Sequence, residues 1–402
     1  DAGHIAEARN RVAEVIEGRL PRAGSDVGAT SEPGILKREM AKKARHMPLR
    51  KLLQQIPNLL ERLTPCVLMS PLSVAQYLPA DGRRFDIVVF DEASQICTYD
   101  AIGAIGRGNQ LVVVGDSKQL PPTAFFQRST NDDALVDEND FTELESILDE
   151  VLAAGLPEQM LGWHYRSRHE ALIEFSNAHY YENRLNVFPA ARGRVADLGV
   201  KFHHVSDGRY EASASRTNPV EAKALVAMLV DTLRSTAPDQ RTFGVVTFSA
   251  AQQEHIEALL NEARAKYPEI DRHFVEEHPK FEKVFVKNLE NVQGDERDHM
   301  IISTTYGPDP SGRFFRRFGP LGRSGGGRRL NVLVTRAREA VHLITSIPPS
   351  VYRSLPRLPP GAVPSGAFLL FAYLQYAEAI AEPEQAPKEP RRADEQDVAL
   401  HV

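Results

Sequence analysis

Asp91 and Glu92 stand at the end of a mostly apolar run, Phe85-Asp86-Ile87-Val88-Val89-Phe90. A second apolar run, Leu111 to Val114, ends in Gly115-Asp116-Ser117-Lys118-Gln119. Such runs read as buried parallel strands, which deliver whatever follows them to the carboxyl edge of a sheet, where α/β proteins bind ligands. Adjacent acids there suit a Mg²⁺-nucleotide, one carboxylate on the metal and its neighbour orienting a water. A polar turn after a core strand is the alternative for a lone Asp-Glu pair. The second acidic, Gln-bearing strand end argues against chance.

The elements around these strands read as an α/β series. A basic helical segment from about Leu36 to Met47 should stop or kink at Pro48. Leu52, Leu53, Ile56, Leu59, Leu60 and Leu63 then fall at helical spacing, interrupted by Pro57, so two short helices or one kinked helix fit equally. Cys66-Val67-Leu68-Met69 reads as a short buried strand opening into Ser70-Pro71. From Gly155 onward a second series begins. Ser167 to Glu170 has capping-box spacing and opens a helix to about Tyr181. Asn218-Pro219 starts another, to about Arg234. The strand Phe243–Phe248 meets a second capping box, Ser249 to Gln252, and a helix to about Lys266. Strands are expected near 284–286, 300–304 and 341–345. Strands alternating with helices mean parallel sheets, and there is enough here for two.

The bulk numbers set limits. The 402 residues allow two or three domains, and 42% hydrophobic with 25% charged content is ordinary for a soluble chain. Two cysteines, Cys66 and Cys97, give no disulfide framework. No apolar run is long enough to span a membrane and no signal-peptide pattern is present, so no membrane partner and a cytoplasmic location are expected. The net charge of −6 hides segregation. Residues 130–150 are rich in Asp and Glu without a base, and the stretch 130–143 reads as an exposed or disordered insertion. Residues 35–51 and 311–329 are basic, the latter with Arg313, Arg316, Arg317, Arg323, Arg328 and Arg329 and no acid. Local basic surface is what phosphate binding needs, although a solvated face explains either cluster too. Residues 382–402 have little to bury and read as disordered.

In order, the segments MSPLSVAQYLP (69–79), FDIVVFDEASQ (85–95), VVVGDSKQLPPT (112–123), LGWHYRSRHEALIEFSNAHYY (161–181), GVVTFSAAQQ (244–253), LENVQGDERDHMIIS (289–303) and RLNVLVTRAREAVHLIT (329–345) resemble superfamily 1 helicases. Within these the resemblance is to the group containing the nonsense-mediated-decay and Okazaki-fragment-processing enzymes, and more softly to large bacterial multidomain helicases. It covers about residues 65–346. It implies two RecA-like domains with ATP in the cleft between them and single-stranded DNA or RNA across their top. Asp91 would then hold Mg²⁺, directly or through water, Glu92 would polarise the attacking water, and Gln119 would sense the γ-phosphate. Arg166 and Arg336 match the family's arginine fingers, whose planar guanidinium suits bidentate phosphate contact. Tyr165 would stack on the base or pack in the hinge. Glu296 would contact the ribose, with Gly294 allowing close backbone approach. Ser70, Pro71, Thr247 and Gln252 fall where the family tracks the sugar-phosphate backbone. For Gln252, helix capping competes. Arg338 reads as a support of its motif.

One part of the pattern is absent. The family's phosphate-cradling loop, G-x-x-x-x-G-K-[ST], occurs nowhere in the 402 residues. The glycines at 103–108 and 322–327 lack its Lys-Ser/Thr ending and read as turns or a flexible loop. The expected organisation is therefore an N-terminal helical region (1–64), the C-terminal part of a first, incomplete RecA-like domain (65–154), a second RecA-like domain (155–350) and a C-terminal helix with tail (351–402). The partner expected is the missing half of the first domain that carries the loop. The alternative is a non-catalytic nucleic-acid-binding or assembly module, in which the basic segments matter more than the acids.

Overall fold

The computed structural model describes residues 2–19, 28–80, 82, 84–122, 146–190, 197–275, 282–323, 325–359 and 361–381. Most of the acidic stretch and the 382–402 tail lie outside the described residues. The chain divides into two compact units, residues 1–117 with 121–158, and residues 118–120 with 159–402.

In the first unit, the strands β1 (Phe85–Phe90) and β2 (Gly108–Val113) pair in parallel, Val88 opposite Leu111. Phe90, Ala93, Ala101, Ala104, Ile147 and Leu148 form the core against one face, with Val88, Leu111 and Val113 packed on it. The expectation of a strand buried on both faces is not met. Val89 is 60% exposed and Ile87 points the same way, because among the described residues the core covers one face only. The expected strand at 66–69 does not form either. Leu68 is 94% exposed, and among the described residues no neighbouring strand offers residues 67–69 a ladder.

Pro57 separates two helices, Leu49–Gln55 and Pro57–Leu63, so the two-helix alternative is the one found. The basic helix spans Glu32–Met40 and ends well before Pro48. Ser31 caps its start by accepting from Gly34 N, and at its end the buried Glu39 carboxylate accepts from Met47 N, drawing the chain back on itself. Gly103 lies inside a helix, Thr98–Ile105, where a turn was expected, and Gly108 begins β2.

The second unit holds the strands β3 (Trp163–His164), β4 (Asn186–Val187), β5 (Gly199–His204), β6 (Phe243–Thr247), β7 (Phe285–Asn288), β8 (Arg297–Ser303) and β9 (Ala337–Thr345). The last five make one parallel sheet, ordered β5-β9-β8-β6-β7. The α/β class with parallel sheets expected from the sequence is the class observed. Helices Pro219–Ser235 and Ala250–Lys266 bury Leu225, Leu229, Leu233, Ile256 and Leu260 against Phe243, Val245 and Ile301. Because every strand in this sheet runs the same way, Thr247, Ser303 and Thr345 end at one edge, and the loops that follow share it. Neither β5 nor the short β3–β4 pair was legible, since Lys201, His203 and His204 break the apolar pattern of β5.

Candidate functional site

The acid pair of the first unit sits on a turn with a forced backbone. Glu92 is left-handed, φ 51° and ψ 39°, a region that costs a non-glycine residue about 1 kcal/mol or more. Two features hold it there. Ala93 N donates to Val114 O at 2.9 Å, and Glu92 N donates to the Asp91 carboxylate at 3.0 Å. The Glu92 carboxylate accepts from Gln95 Nε2 at 3.0 Å. Gly115 lies under this turn, where a Cβ would stand 3.0 Å from Ser94 N and 3.2 Å from Ala93 N, so the second strand end must be glycine for the first to approach. Both acids are exposed. Among the described residues there is no group of three or more His, Cys, Asp and Glu side chains that could hold a metal ion. Two exposed carboxylates fit the habit of Mg²⁺, which keeps most of its shell as water and phosphate oxygen.

In the second unit the sequence-predicted residues fall into one linked set. Arg166 pairs with Glu296 (Nε to Oε2, 2.7 Å) and its Nη1 lies 3.5 Å from Thr335 O. Arg336, 3% exposed, donates to Val332 O (2.8 Å), to Gln119 Oε1 (3.3 Å) and to Thr335 Oγ1 (3.4 Å). Residues 118–120 belong to this unit, tied to it also by Asn331 Nδ2, which donates to Lys118 O at 3.0 Å. Thus Gln119, Arg166, Glu296 and Arg336, spread over more than two hundred residues of sequence, converge around Thr335.

Glu296 also receives Arg338, whose guanidinium reaches Glu296 (3.4 Å), Asp298 (3.0 Å) and Glu282 together. Three carboxylates hold Arg338 in place, as befits a support. Gly294 has φ +85°, and an added Cβ would meet nothing within 4 Å. Glycine is required there for the backbone turn itself, and the open space at its Cα is compatible with the close approach that was expected. Beside it, the Gln293 Nε2 atom is buried without a hydrogen-bond partner among the described residues.

The approach to Arg166 is fixed by contacts that sequence reasoning missed. Ser167 N and its hydroxyl both lie on His164 Nε2, at 3.2 and 2.8 Å, so that nitrogen accepts and the ring is neutral. Burial, with the nearby Arg166 guanidinium, pushes His164 down to about 4. The expected capping box at 167–170 does not form. Ser167 is taken by His164, the Glu170 carboxylate accepts from Ala190 N, and the helix Ala171–Tyr180 begins without a side-chain cap. Tyr165 is 75% exposed with its ring 6.2 Å from Phe188, which stacks on Trp163 at 4.8 Å.

Of the four residues expected along a strand of nucleic acid, Ser70 and the half-buried Pro71 reach solvent. Ser70 is exposed and caps the helix Pro71–Tyr77 by accepting from Ser73 N. Thr247 and Gln252 are both fully buried, which corrects their expected contact with phosphate. Thr247 Oγ1 donates to Ser249 O at 2.7 Å. Gln252 accepts from Asn218 N at 2.8 Å and donates to Asn218 O and Ser303 Oγ. Capping was half right, for Ser249 accepts from Gln252 N while the Gln252 side chain points into the fold.

That inward turn leads to a buried polar network at the carboxyl edge. Glu221 is fully buried and accepts from Ser303 Oγ (2.6 Å), Thr305 N (2.7 Å), Ser346 Oγ (2.7 Å) and Asn218 Nδ2 (3.4 Å). Burial pushes its carboxyl up to about 7 against the pull of these donors. It binds the ends of β8 and β9 to the start of the helix Pro219–Ser235, and holds Thr305 at φ 67°. The helix start at Asn218-Pro219 was readable, but not the burial of Glu221.

Two family models, each described as an AAA domain, match the chain, over residues 38–127 and 144–347. The chain is similar to the uncharacterized ATP-dependent helicase MG140 homolog of Mycoplasma pneumoniae, 34% identical over 329 residues that make 80% of this chain and 28% of that protein. It is similar also to the DNA-binding protein SMUBP-2 of Rattus norvegicus, 25% identical over 289 residues, 66% of this chain and 25% of that protein. The chain thus spans little more than a quarter of these relatives. Among solved structures, an arterivirus nonstructural protein 10 helicase with DNA aligns at 11% identity and TM-score 0.30, covering 65% of this chain and 40% of that one.

Proposed function

Because this chain belongs to the AAA-domain family of superfamily 1 helicases, we propose that it is motor sequence of an ATP-dependent translocase moving 5′ to 3′ along single-stranded DNA or RNA. The observation that carries this reading is the convergence of Gln119, Arg166 and Arg336 around Thr335. Three residues that a phosphoryl-transfer site needs lie far apart in sequence, yet Arg336 bonds Gln119 directly and shares Thr335 with Arg166. The chemistry asks for positioning and charge neutralisation rather than covalent help. The proposed roles are Asp91 on Mg²⁺, Glu92 orienting the attacking water, Gln119 sensing the γ-phosphate, and Arg166 and Arg336 neutralising the charge that develops on it. Held by Asp91, Mg²⁺ would supply positive charge that offsets the negative charge of the phosphates. The Arg336–Gln119 hydrogen bond gives the sensor and an arginine finger one shared response.

Glu296, which Arg338 contacts at 3.4 Å, is the residue proposed to meet a ribose hydroxyl, and the exposed ring of Tyr165 the one proposed to meet the base. Ser70 and Pro71 remain candidates for phosphate contact on the first unit. The reading requires a phosphate loop, and since none of the 402 residues supplies it, a segment outside them must. The test is Glu92→Gln in a protein that includes such a loop. Hydrolysis stimulated by single strands should fall by at least about 100-fold while ATP binding persists. Retained stimulated hydrolysis removes Glu92 from its role. If no G-x-x-x-x-G-K-[ST] sequence accompanies this chain in its gene, the non-catalytic binding module takes its place.

A further inference from the structure

The basic segment after β8 is a built surface, not a loose loop. Tyr306, Phe318 and Leu321 are buried, with the Phe318 ring 5.5 Å from Tyr306 and 5.3 Å from Phe371 in edge-on contact. Tyr210 N donates to Pro308 O at 2.8 Å. The turn between is organised by Asp309, whose carboxylate accepts from Ser311 N, Ser311 Oγ and Arg313 N, while Gly312 supplies φ +84°. On this anchored base Arg313, Arg316, Arg317 and Arg323 are all exposed, and Phe315 beside them is 52% exposed.

Their charges are not equivalent. Arg313 is offset by Asp309 at 3.3 Å and also lies 5.6 Å from the Phe315 ring centroid. Arg316 lies 5.6 Å from the Phe371 ring centroid. Among the described residues, Arg316, Arg317 and Arg323 make no ion pair. Three cationic fans on an anchored segment of an otherwise acidic chain suit an anionic partner. The exposed aromatic ring among them narrows the choice. Repeating phosphates with unpaired bases between them offer both charge and a stacking face, which an acidic protein surface does not.

We propose that Arg316, Arg317, Arg323 and Phe315 form a sequence-independent contact surface for single-stranded nucleic acid, in which the arginines meet successive phosphates and Phe315 stacks on a base. The inference rests on the nucleic-acid part of the function proposed above and is independent of its ATP chemistry. Its position fits, since the segment leaves the carboxyl end of β8 in the middle of the five-stranded sheet.

The experiment measures fluorescence anisotropy of labelled oligo-dT and oligo-rU with this chain, without nucleotide, across a salt series. The wild-type chain should bind with a negative slope of log affinity against log salt. Replacing Arg316, Arg317 and Arg323 by Ala should make that slope shallower by about 2, three contacts at about 0.7 each on a single strand. The triple Lys variant should restore it, because a point charge suffices for phosphate. Phe315→Ala should weaken binding by about 5- to 150-fold with the slope unchanged, and Phe315→Tyr should recover it. Circular dichroism of each variant guards against loss of fold. No salt-dependent binding by the wild type, or an unchanged slope in the triple Ala variant, overturns the proposal. So does equal competition by poly-glutamate together with indifference to Phe315, which would make this a surface for acidic protein. Because no ATP is present, failure here leaves the Glu92 test standing, and failure of Glu92→Gln leaves this result standing.

Discussion

Removing Glu221 tests how the carboxyl edge of the second sheet is held. Glu221→Ala would leave Ser303 Oγ, Ser346 Oγ and Thr305 N, now bonded at 2.6 to 2.7 Å, facing each other in a site closed to water. Each orphaned donor costs about 1 to 3 kcal/mol, so three cost roughly 3 to 6 kcal/mol once the hydroxyls re-pair as far as they can. Glu221→Gln is milder. Its carbonyl keeps the Ser303 and Thr305 bonds, and its amide turns a donor toward Ser346 Oγ, which can rotate to accept, at about 1 to 2 kcal/mol. The two variants also differ from wild type in pH response. The folded carboxyl binds its proton near 7 and the unfolded one near 4.5, so between those values the folded state holds more protons. Wild-type stability from this group is therefore fully present below pH 4.5 and lost as pH rises through 7. The window is worth on the order of 3 kcal/mol, and Gln lacks it. Urea unfolding followed by the emission of Trp163, the single tryptophan, reports this unit directly. Glu221→Gln should trail wild type by about 1 to 2 kcal/mol at pH 8, and the gap should widen by about 3 kcal/mol at pH 5. A gap of the same size at both pH values, or an Ala variant within 1 kcal/mol of wild type, would refute the reasoning.

Arg336→Ala should reduce hydrolysis by about 1,000-fold in a loop-containing protein, with ATP affinity changed far less, as measured by steady-state turnover and equilibrium nucleotide binding. Three imidazoles line neighbouring strands, His203 to His342 at 3.4 Å and His342 to His299 at 3.3 Å, and burial pushes His342 down to about 3 and His299 to about 4. These groups take protons in the unfolded chain near 6.5 but not in the folded one, so they should lower stability as pH falls from about 6.5 toward 4. Melting temperatures measured across that range should drop less steeply in His342→Leu, and an identical drop would exclude the ladder as the cause. Gly115→Val should destabilise the first unit by about 1 to 3 kcal/mol, read by urea unfolding with circular dichroism, because its side chain would press on Ser94 N and Leu148.

Local chemistry made much of this chain legible. Pro57 split two helices, Ser249 and Asn218 started two more, and the apolar runs before Asp91 and Gly115 became a parallel pair with the acids at its end. Those outcomes depend on neighbours in sequence, which a linear reading sees. Residue types and order also sufficed for the motif set. What the sequence left undecided was burial and partnership across distance. Thr247 and Gln252 have the right groups to meet phosphate, yet the packing of two helices on the sheet closes them from solvent. Glu221 lies in the first turn of a helix whose start was legible, but its burial came only when the ends of β8 and β9 closed over it. Ser167 could have capped a helix, and His164, folded back beside it, took the hydroxyl instead. The convergence of Gln119, Arg166 and Arg336 on Thr335 is likewise a product of tertiary structure, because parallel strands bring to one edge what the chain keeps far apart.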